Sequence, residues 1–337
     1  MTPKDAAALP LKIVADYGKK YPFVWSTVEK FMDMPDGTWD KSHCYIPIAA
    51  GIAICNEFHM PPSAMFIIPA LSAWRQSKEV YTFDQDLAET LYAQATDTKI
   101  PSQILMQLPF YCVYIDSGKY RFFCHLENDV NDGRWELRFV RITENNESVA
   151  SYLHLGDFTL DEAIMAGHEE AMFQLGSIPK REGASKFAEN VLAQPSKYNM
   201  YADVYNRTAL SEMLQLVLYI CADNADVVQP EENKRTYRKP EKRSQVKDKY
   251  REVRQWETGY YVGNTLRKER SSAGTGNSER QPYQGGTKRP HMRRGHWHHF
   301  WKGKDGNKEL VLHWVLPIFV NGDNAGGESP ARVTPVK

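Results

Sequence analysis

Imidazole and indole side chains are concentrated near the C-terminus of this chain, in residues 289–321. This segment holds three of the eight tryptophans and five of the ten histidines, namely His291, His296, His298, His299 and His313. Imidazole binds metals and exchanges protons near neutral pH, whereas indole rings fill apolar pockets or stack on flat groups. The composition therefore indicates a metal site, a catalytic site, a binding surface or a buried structural hairpin.

Metal binding is the first interpretation. On an extended strand His296 and His298 point the same way, and His291 or His313 offers a third nitrogen ligand. The sequence pattern places no matching Cys, Asp or Glu beside them. We therefore expect no bound metal and no other cofactor, while a metal-dependent nuclease that uses the histidine cluster stays open as an alternative.

Nucleophilic catalysis is the second interpretation. The order His296-Trp297-His298 resembles the His-hydrophobic-His pair of rolling-circle nucleases. Those enzymes need a tyrosine nucleophile, and no tyrosine follows Tyr283. An arrangement with the nucleophile near the N-terminus leaves Tyr17 or Tyr21, and no catalytic residue is assigned on this signal.

Recognition of a peptide or of RNA is the third interpretation, because guanidinium, imidazole and indole groups hydrogen-bond to and stack on such partners. A hairpin whose rings plug into the rest of the protein is the structural alternative. The predicted partner-binding residues are Arg289, His291, Arg293, Arg294, His296, Trp297, His298, His299 and Trp301.

A β-hairpin is the element expected to position these residues, since two extended runs flank the polar turn at residues 303–307. Alternation places His296, His298 and Phe300 on one face and Trp297, His299 and Trp301 on the other. We expect Trp297 and Trp301 to pack on the protein and the histidine face to point outward.

Charge is divided unevenly along the chain. Residues 1–229 carry 19 Lys/Arg against 30 Asp/Glu, a net charge of −11, and residues 230–304 carry 20 against 8, a net charge of +12. Such asymmetry is expected where one region meets nucleic acid or an acidic partner, although the two regions also neutralise each other. The predicted nucleic-acid-binding residues are Lys234, Arg235, Arg238, Lys239, Lys242 and Arg243.

The five cysteines show no metal-finger spacing and have apolar neighbours, which predicts buried free thiols in a reducing cytosol. The longest apolar run, residues 44–55, contains Pro47 and Gly51 and is too short to span a bilayer. We therefore expect a soluble, cytoplasmic protein without a membrane partner.

The remaining pattern predicts an α+β fold, with helices around a small antiparallel sheet and a basic C-terminal region that ends in the hairpin. Residues 1–228 form the acidic helical body, with the sheet at about residues 104–156. Residues 229–322 form the basic region, with a charged helix at 246–256 and a mobile loop at 271–287, and residues 323–337 form a disordered tail. Helices are expected at 5–32 with a break at Pro22, at 46–58, from Pro61 to Lys78, at 83–95, at 159–176 and at 200–222.

The sequence RPHMRRGHWHHFWKG (289–303), followed by KELVLHWVLPIFVNG (308–322), resembles the phage and mobile-element anti-CRISPR family that acts against type V-A CRISPR nuclease production. The resemblance covers mainly residues 288–322. It implies inhibition of nuclease biogenesis, in which the nascent N-terminal segment of the nuclease is recognised and its messenger RNA is lost.

The partners that the resemblance implies are the nascent type V-A nuclease polypeptide and, with it, the ribosome, the mRNA or a host RNase in the bacterial cytoplasm. It supplies no catalytic residues, so we favour a binding or recruiting protein over an enzyme. The alternatives are a general RNA-binding protein and the metal-dependent nuclease.

Overall fold

A seven-stranded mixed sheet forms the centre of the protein. The computed structural model describes residues 3–61, 63–94, 99–142, 148–166, 207–228, 253–274, 291–304 and 307–320. The sheet contains β1 (Glu79–Phe83), β2 (Cys112–Asp116), β3 (Arg121–Asn128), β4 (Trp135–Ile142), β5 (Ser148–Leu155), β6 (Val227–Val228) and β7 (Arg254–Thr258). Their order is β5-β4-β3-β2-β1-β7-β6.

The expectation of a small antiparallel sheet was wrong in size and in direction. Strand-like runs in the sequence predict antiparallel strands at 109–116, 119–126, 134–142 and 148–155, and β2 to β5 confirm them. However, β1 pairs in parallel with both β2 and β7. Residues 254–256, predicted as the end of a charged helix, lie in β7. Parallel partners are distant in sequence, so the charged sequence of β7 gave no local signal of its place in the sheet.

Four helices cover one face of the sheet: α1 (Pro3–Lys20), α2 (Val24–Met32), α3 (Ile48–Glu57) and α4 (Ala64–Ser77). The predicted break near Pro22 is confirmed, and Phe23 there adopts a left-handed φ of 70°. The alanines and the glycine of residues 46–58 predict a closely packed helix rather than a strand, and α3 confirms this. A Cβ on Gly51 would lie 2.7 Å from the main-chain oxygen of Met65, so only glycine permits this approach of α3 to α4.

The other face is covered by α5 (Gln85–Tyr92), a 3-10 helix (Ser102–Gln107), α6 (residues 160–166), α7 (Arg207–Cys221), α8 (Tyr260–Gly274) and the C-terminal hairpin. The predicted hydrophobic core helix is confirmed over α7, where 11 side chains are buried. Residues 271–274 of the predicted mobile loop form the end of α8. The rest of that loop and the tail 323–337 lie outside the described residues.

The order Thr159-Leu160-Asp161-Glu162 predicts a capping box, and the start of α6 confirms it. Glu162 Oε2 accepts a hydrogen bond from the main-chain N–H of Thr159 at 2.7 Å, and the Glu162 N–H donates to Thr159 Oγ1 at 3.5 Å. These two bonds satisfy donors that a helix N-terminus otherwise leaves unpaired.

All five cysteines are buried free thiols, as predicted. The Ser117-Gly118 signal predicts a hairpin turn that would pair Cys112 with Phe123. This prediction was wrong, because the connection between β2 and β3 occupies residues 117–120 and places Cys112 opposite His125. The two-residue shift preserves side-chain direction, so Cys112 and Cys124 still lie on opposite faces of the sheet.

No helix in the part of the chain that the structure describes has the length and apolar character needed to cross a membrane.

A buried ion pair joins the two parallel strands β1 and β7. The fully buried Glu79 carboxylate contacts the Arg254 guanidinium through Oε1 and accepts a hydrogen bond from Trp256 Nε1 at 2.6 Å through Oε2. The Arg254 guanidinium also lies 5.0 Å from the centre of the Phe110 ring. A buried carboxylate is costly to leave without a charged partner, so this contact holds the two strands in register.

We expect Arg254→Met to lower the free energy of unfolding by about 3–5 kcal/mol, because it leaves the Glu79 carboxylate buried without a counter-charge. Urea unfolding followed by far-UV circular dichroism measures the loss. The double variant Glu79→Gln/Arg254→Met keeps an acceptor for Trp256 and should recover much of the stability. A double variant that is no more stable than the single one would contradict this account of the ion pair.

Candidate partner-binding hairpin

The predicted C-terminal hairpin is confirmed. Strands β9 (His296–Lys302) and β10 (Glu309–Val315) pair antiparallel, with His296 opposite Val315 and Lys302 opposite Glu309. The hairpin continues beyond Gly295 as β8 (His291–Arg293), which pairs with β11 (Ile318–Val320). Gly303 has a φ of +123°, and a Cβ there would lie 2.3 Å from the main-chain oxygen of Asn307, so the turn requires glycine.

Trp297 anchors β9 on α7. Its side chain is 3% exposed, and its Nε1 donates a 2.7 Å hydrogen bond to Gln215 Oε1. Its ring lies 6.5 Å from that of Trp314 in β10, which in turn meets the Tyr219 ring of α7 edge-on at 5.5 Å. A buried, hydrogen-bonded indole fixes both position and orientation.

The main-chain edge of β10 is bound by the body of the protein. Gln107 Nε2 donates to the Leu310 oxygen at 2.6 Å, and the Asp223 N–H donates to the Leu312 oxygen at 2.8 Å. Asn224 binds Trp314 twice, accepting from its N–H and donating to its oxygen, both at 2.9 Å. The hairpin is therefore held along a whole strand, by main-chain bonds as well as by apolar packing.

The face that points away from the protein carries the imidazoles, as predicted. His296 and His298 are exposed, and the adjoining Arg294 is exposed as well. The rings of His298 and Phe300 lie 5.6 Å apart, and His313 meets Phe300 edge-on at 5.0 Å. This surface offers hydrogen-bond donors and acceptors beside flat rings on a fixed support.

The expectation that Trp301 packs on the protein was wrong. Trp301 lies on the same face of β9 as Trp297, but it is 56% exposed. Trp297 lies over Gln215 of α7, whereas Trp301 stands at the far end of β9, just before the turn at Gly303. An indole this exposed is available to a partner.

For several predicted site residues the structure describes only the main chain, and others lie outside the described residues. Arg289 and the predicted nucleic-acid-binding residues Lys234, Arg235, Arg238, Lys239, Lys242 and Arg243 lie outside the described residues. For His291 and Arg293 the structure describes the main chain, in β8. Their roles stay predictions.

Aromatic residues interleaved with the basic segment, among them Trp256, Tyr260 and Tyr261, are candidates for stacking on RNA bases. Trp256 is buried in β7 and is excluded, while Tyr260 and Tyr261 are exposed at the start of α8. The alternative that pairs the histidines with Tyr17 or Tyr21 is wrong. Those tyrosines pack with the helices on one face of the sheet, whereas the hairpin packs on the other.

No group of three or more His, Cys, Asp or Glu side chains within the described ranges is arranged to hold a metal ion. His298 and His313 lie opposite each other beside Phe300, and His313 Nε2 lies 3.6 Å from Asp223 Oδ2. That the protein acts without metal stays a prediction.

A second concentration of ionisable groups, not foreseen from the sequence, is buried between β3, β4 and β5. His154 Nδ1 lies 3.2 Å from Glu136 Oε1, and Arg138 contacts the other oxygen of the same carboxylate. Burial alone would raise the pKa of Glu136, but the bond from His154 and the charge of Arg138 hold that pKa below its usual value. Alternation along β4 places Glu136 and Arg138 on the same face of the strand. It does not indicate that this face is buried in the folded protein.

Glu127 of β3 lies beside these residues and binds the start of α3. Its Oε1 accepts a 2.7 Å hydrogen bond from the Ile48 N–H. Burial raises the pKa of Glu127 to about 7, while burial and the charge of Arg138 lower the pKa of His125 to about 3. Both side chains are at most 3% exposed, so they act on stability rather than on a partner.

The raised pKa of Glu127 predicts a specific pH dependence. Between the ordinary pKa of 4.5 and the folded value of about 7, the folded protein keeps a proton that the unfolded chain has released. The stability that this proton contributes is therefore full below pH 4.5 and is lost as the pH rises to about 7. The glutamine of Glu127→Gln stays neutral, so this variant does not lose stability in this way. From about pH 5 to about pH 8, its free energy of unfolding should therefore rise relative to that of the wild type by up to about 3 kcal/mol.

Urea unfolding of both proteins across this pH range measures that difference, and the contribution of His125 cancels because both proteins contain it. A difference that does not change with pH would contradict the raised pKa of Glu127.

The two tryptophans of β9 should separate in stability. We expect Trp297→Ala to cost about 3–5 kcal/mol, because it removes a buried indole and leaves Gln215 unpaired. Trp301→Ala should change stability by about 0.5 kcal/mol or less, because the side chain is largely exposed. Thermal melting of both variants measures the contrast, and equal destabilisation would show that Trp301 is buried in solution.

The chain belongs to the AcrVA2-like family, the anti-CRISPR type V subtype A2 family, whose model matches residues 81–322. This range runs from β1 through the hairpin, so the resemblance expected from residues 288–322 is confirmed and extends over most of the sheet. The protein is thus a member of an anti-CRISPR family.

Two individual proteins are similar along most of their length. The chain is 22% identical to Protein FinQ of Escherichia coli over 302 residues, which is 83% of this chain and 82% of FinQ. The crystal structure of AcrVA2 superposes with a TM-score of 0.58 at 18% identity, covering 92% of this chain and 98% of that one. The latter likeness shows that the fold is shared.

Proposed function

We propose that this protein blocks the biogenesis of a type V-A CRISPR nuclease by recognising the nascent N-terminal segment of the nuclease and causing loss of its mRNA. Membership of the anti-CRISPR family supports the inhibitory role. The proposed mechanism, recognition of the nascent chain followed by loss of the mRNA, is the one that the resemblance in residues 288–322 implies. The site of action is the bacterial cytoplasm, where nascent chain, ribosome and mRNA are together.

The observation that carries the proposal is the exposed histidine face of a hairpin that is locked to the core. Arg294, His296 and His298 are exposed, while Trp297 and the edge of β10 fix the strand beneath them. Imidazole and guanidinium groups bind the carbonyl and carboxylate oxygens that a peptide offers. A fixed support lowers the entropy cost of binding a flexible segment that emerges from the ribosome.

The hairpin acts as a recruiter in this proposal, and it need not cut RNA. A host RNase that acts on the translating complex would account for the loss of mRNA. The ribosome and the mRNA are then further partners, and the predicted basic residues between 234 and 243 suit contact with their phosphates.

We expect the double variant His296→Ala/His298→Ala to melt like the wild type but to lose at least tenfold in inhibition, since one mid-sized recognition contact is worth about 1.4 kcal/mol or more. The assay is a bacterial lysate that translates nuclease mRNA, with nuclease protein and mRNA measured over time. Glu57→Gln, an exposed change on α3, is the matched control and should inhibit fully. Full inhibition by the histidine variant would place the recognition site elsewhere.

The same lysate distinguishes recognition of the peptide from recognition of the message. Synonymous recoding of the first nuclease codons changes the RNA and keeps the peptide, whereas a compensated frameshift changes the peptide and keeps nearly all of the RNA. We expect inhibition to survive the recoding and to disappear with the frameshift. The opposite result would overturn nascent-peptide recognition.

General RNA binding is the second candidate function. The exposed rings of Trp301, Tyr260 and Tyr261 favour it, because nucleobases stack on aromatic side chains with little sequence preference. Inhibition that extends to every message in the lysate, regardless of the encoded peptide, would support this function over the first.

A further inference from the structure

Within the part of the chain that the structure describes, the outer edge of β9 is a free β-sheet edge. β9 pairs with β10, and among the described residues no other strand pairs with it. The opposite edge of the hairpin is occupied, since Gln107, Asp223 and Asn224 bind β10. The body therefore occupies the main-chain edge of β10, whereas β9 is anchored through the Trp297 side chain and presents its outer main-chain groups.

The bonds on β10 establish which main-chain groups of β9 point outward. In an antiparallel pair, directly opposite residues either exchange both main-chain bonds or direct all of them away from each other. Leu312 and Trp314 direct theirs toward the body, so their opposite residues, His299 and Trp297, direct theirs to the outer edge. Alternation adds Trp301, opposite Leu310, to this set.

The outer part of this edge lacks three of the features with which proteins usually prevent strand addition. Free edges are commonly protected by proline, by a bulge or by brevity. β9 has seven residues, contains no proline and pairs with β10 without a bulge. The exposed Trp301 also adds an apolar ring beside the free main-chain groups.

We propose that β9 binds its partner by strand addition: an extended polypeptide segment lies along the outer edge, bonds the main-chain groups of His299 and Trp301, and packs against the Trp301 ring. This inference rests on the proposed recognition of a nascent chain and names its mode. A nascent segment is extended and has unpaired main-chain N–H and C=O groups. These groups can form hydrogen bonds with the free main-chain groups of an edge strand.

Charge indicates the composition of that segment. The described residues of the hairpin, 291–304 and 307–320, contain five Lys or Arg and one Glu. A neutral or acidic peptide is complemented by this surface, and a basic one is repelled. A second copy of this chain is disfavoured as the occupant, because pairing β9 with itself would bring two basic hairpins side by side.

RNA is also a poorer occupant of the edge, although it could stack on Trp301. The edge presents alternating donors and acceptors at the spacing of a β-strand, and a sugar-phosphate backbone offers no N–H donors to match them. Recognition through main-chain groups fits a polypeptide.

The test compares His299→Pro with His299→Ala. Because the His299 N–H points away from β10, proline removes an edge donor and leaves the ladder to β10 in place, whereas alanine keeps the donor. Fluorescently labelled synthetic peptides that cover the N-terminal segment of the nuclease are titrated into each full-length protein. We expect the proline variant to bind at least tenfold more weakly than the alanine variant, with thermal melting showing that both are folded.

A second measurement uses the wild-type protein and so does not depend on the folding of a variant. The bound peptide is N-methylated at one residue at a time. Strand addition predicts that methylation at alternate residues weakens binding and that methylation at the residues between them does not, because only every second N–H faces β9. Sensitivity without this period of two would overturn the inference.

The outcomes separate this inference from the function on which it rests. If a peptide binds the wild type, and binds His299→Pro as tightly as His299→Ala, strand addition is overturned and nascent-peptide recognition still stands. No binding by any peptide would contradict the proposed function itself. Two further outcomes would assign the edge to a different occupant and overturn the inference. One is a dimer, seen by light scattering, that is lost in His299→Pro. The other is RNA binding that Trp301→Ala abolishes while peptides fail to bind.

Discussion

A buried strand cannot leave its main-chain N–H and C=O groups unpaired, and this constraint determines how the hairpin sits on the protein. The inner face of β10 is buried against α7 and the 3-10 helix, so its edge must be satisfied there as well. Gln107, Asp223 and Asn224 supply those bonds from two different segments of the body. With β10 fixed in this way, β9 becomes the outer strand, and its imidazoles, its distal indole and its free edge are presented to solvent.

The part of the chain that the family model matches is also the part that holds the hairpin. Residues 81–322 include Gln107, Gln215, Asp223 and Asn224, which bind the hairpin, and α7, on which it packs. Helices α1 to α4 precede the match and cover the opposite face of the sheet. The residues that support the proposed recognition surface thus lie within the family region, while α1 to α4 pack on the opposite face of the sheet.

Local patterns were sufficient for most of the individual elements. Alternation located β2 to β5 to within a few residues, and Thr159 with Glu162 marked the start of α6. Small residues around Gly51 indicated a closely packed helix. Each of these signals lies within one element or one turn. Strands β1 and β7 were missed because they are defined by their parallel pairing and by the buried bonds of Glu79. Both join residues about half the chain apart, so no local pattern shows them.

The sequence by itself determined that residues 296–315 form a hairpin and which of its side chains share a face, because the period of two along a strand is a local property. Only the tertiary structure decided which residues of a face are buried. Trp297 and Trp301 are equivalent by alternation, yet one bonds to Gln215 of α7 and the other stands in solvent. The difference depends on how far the body extends beneath the strand, which is set by the packing of α7 and the sheet rather than by any pattern within β9.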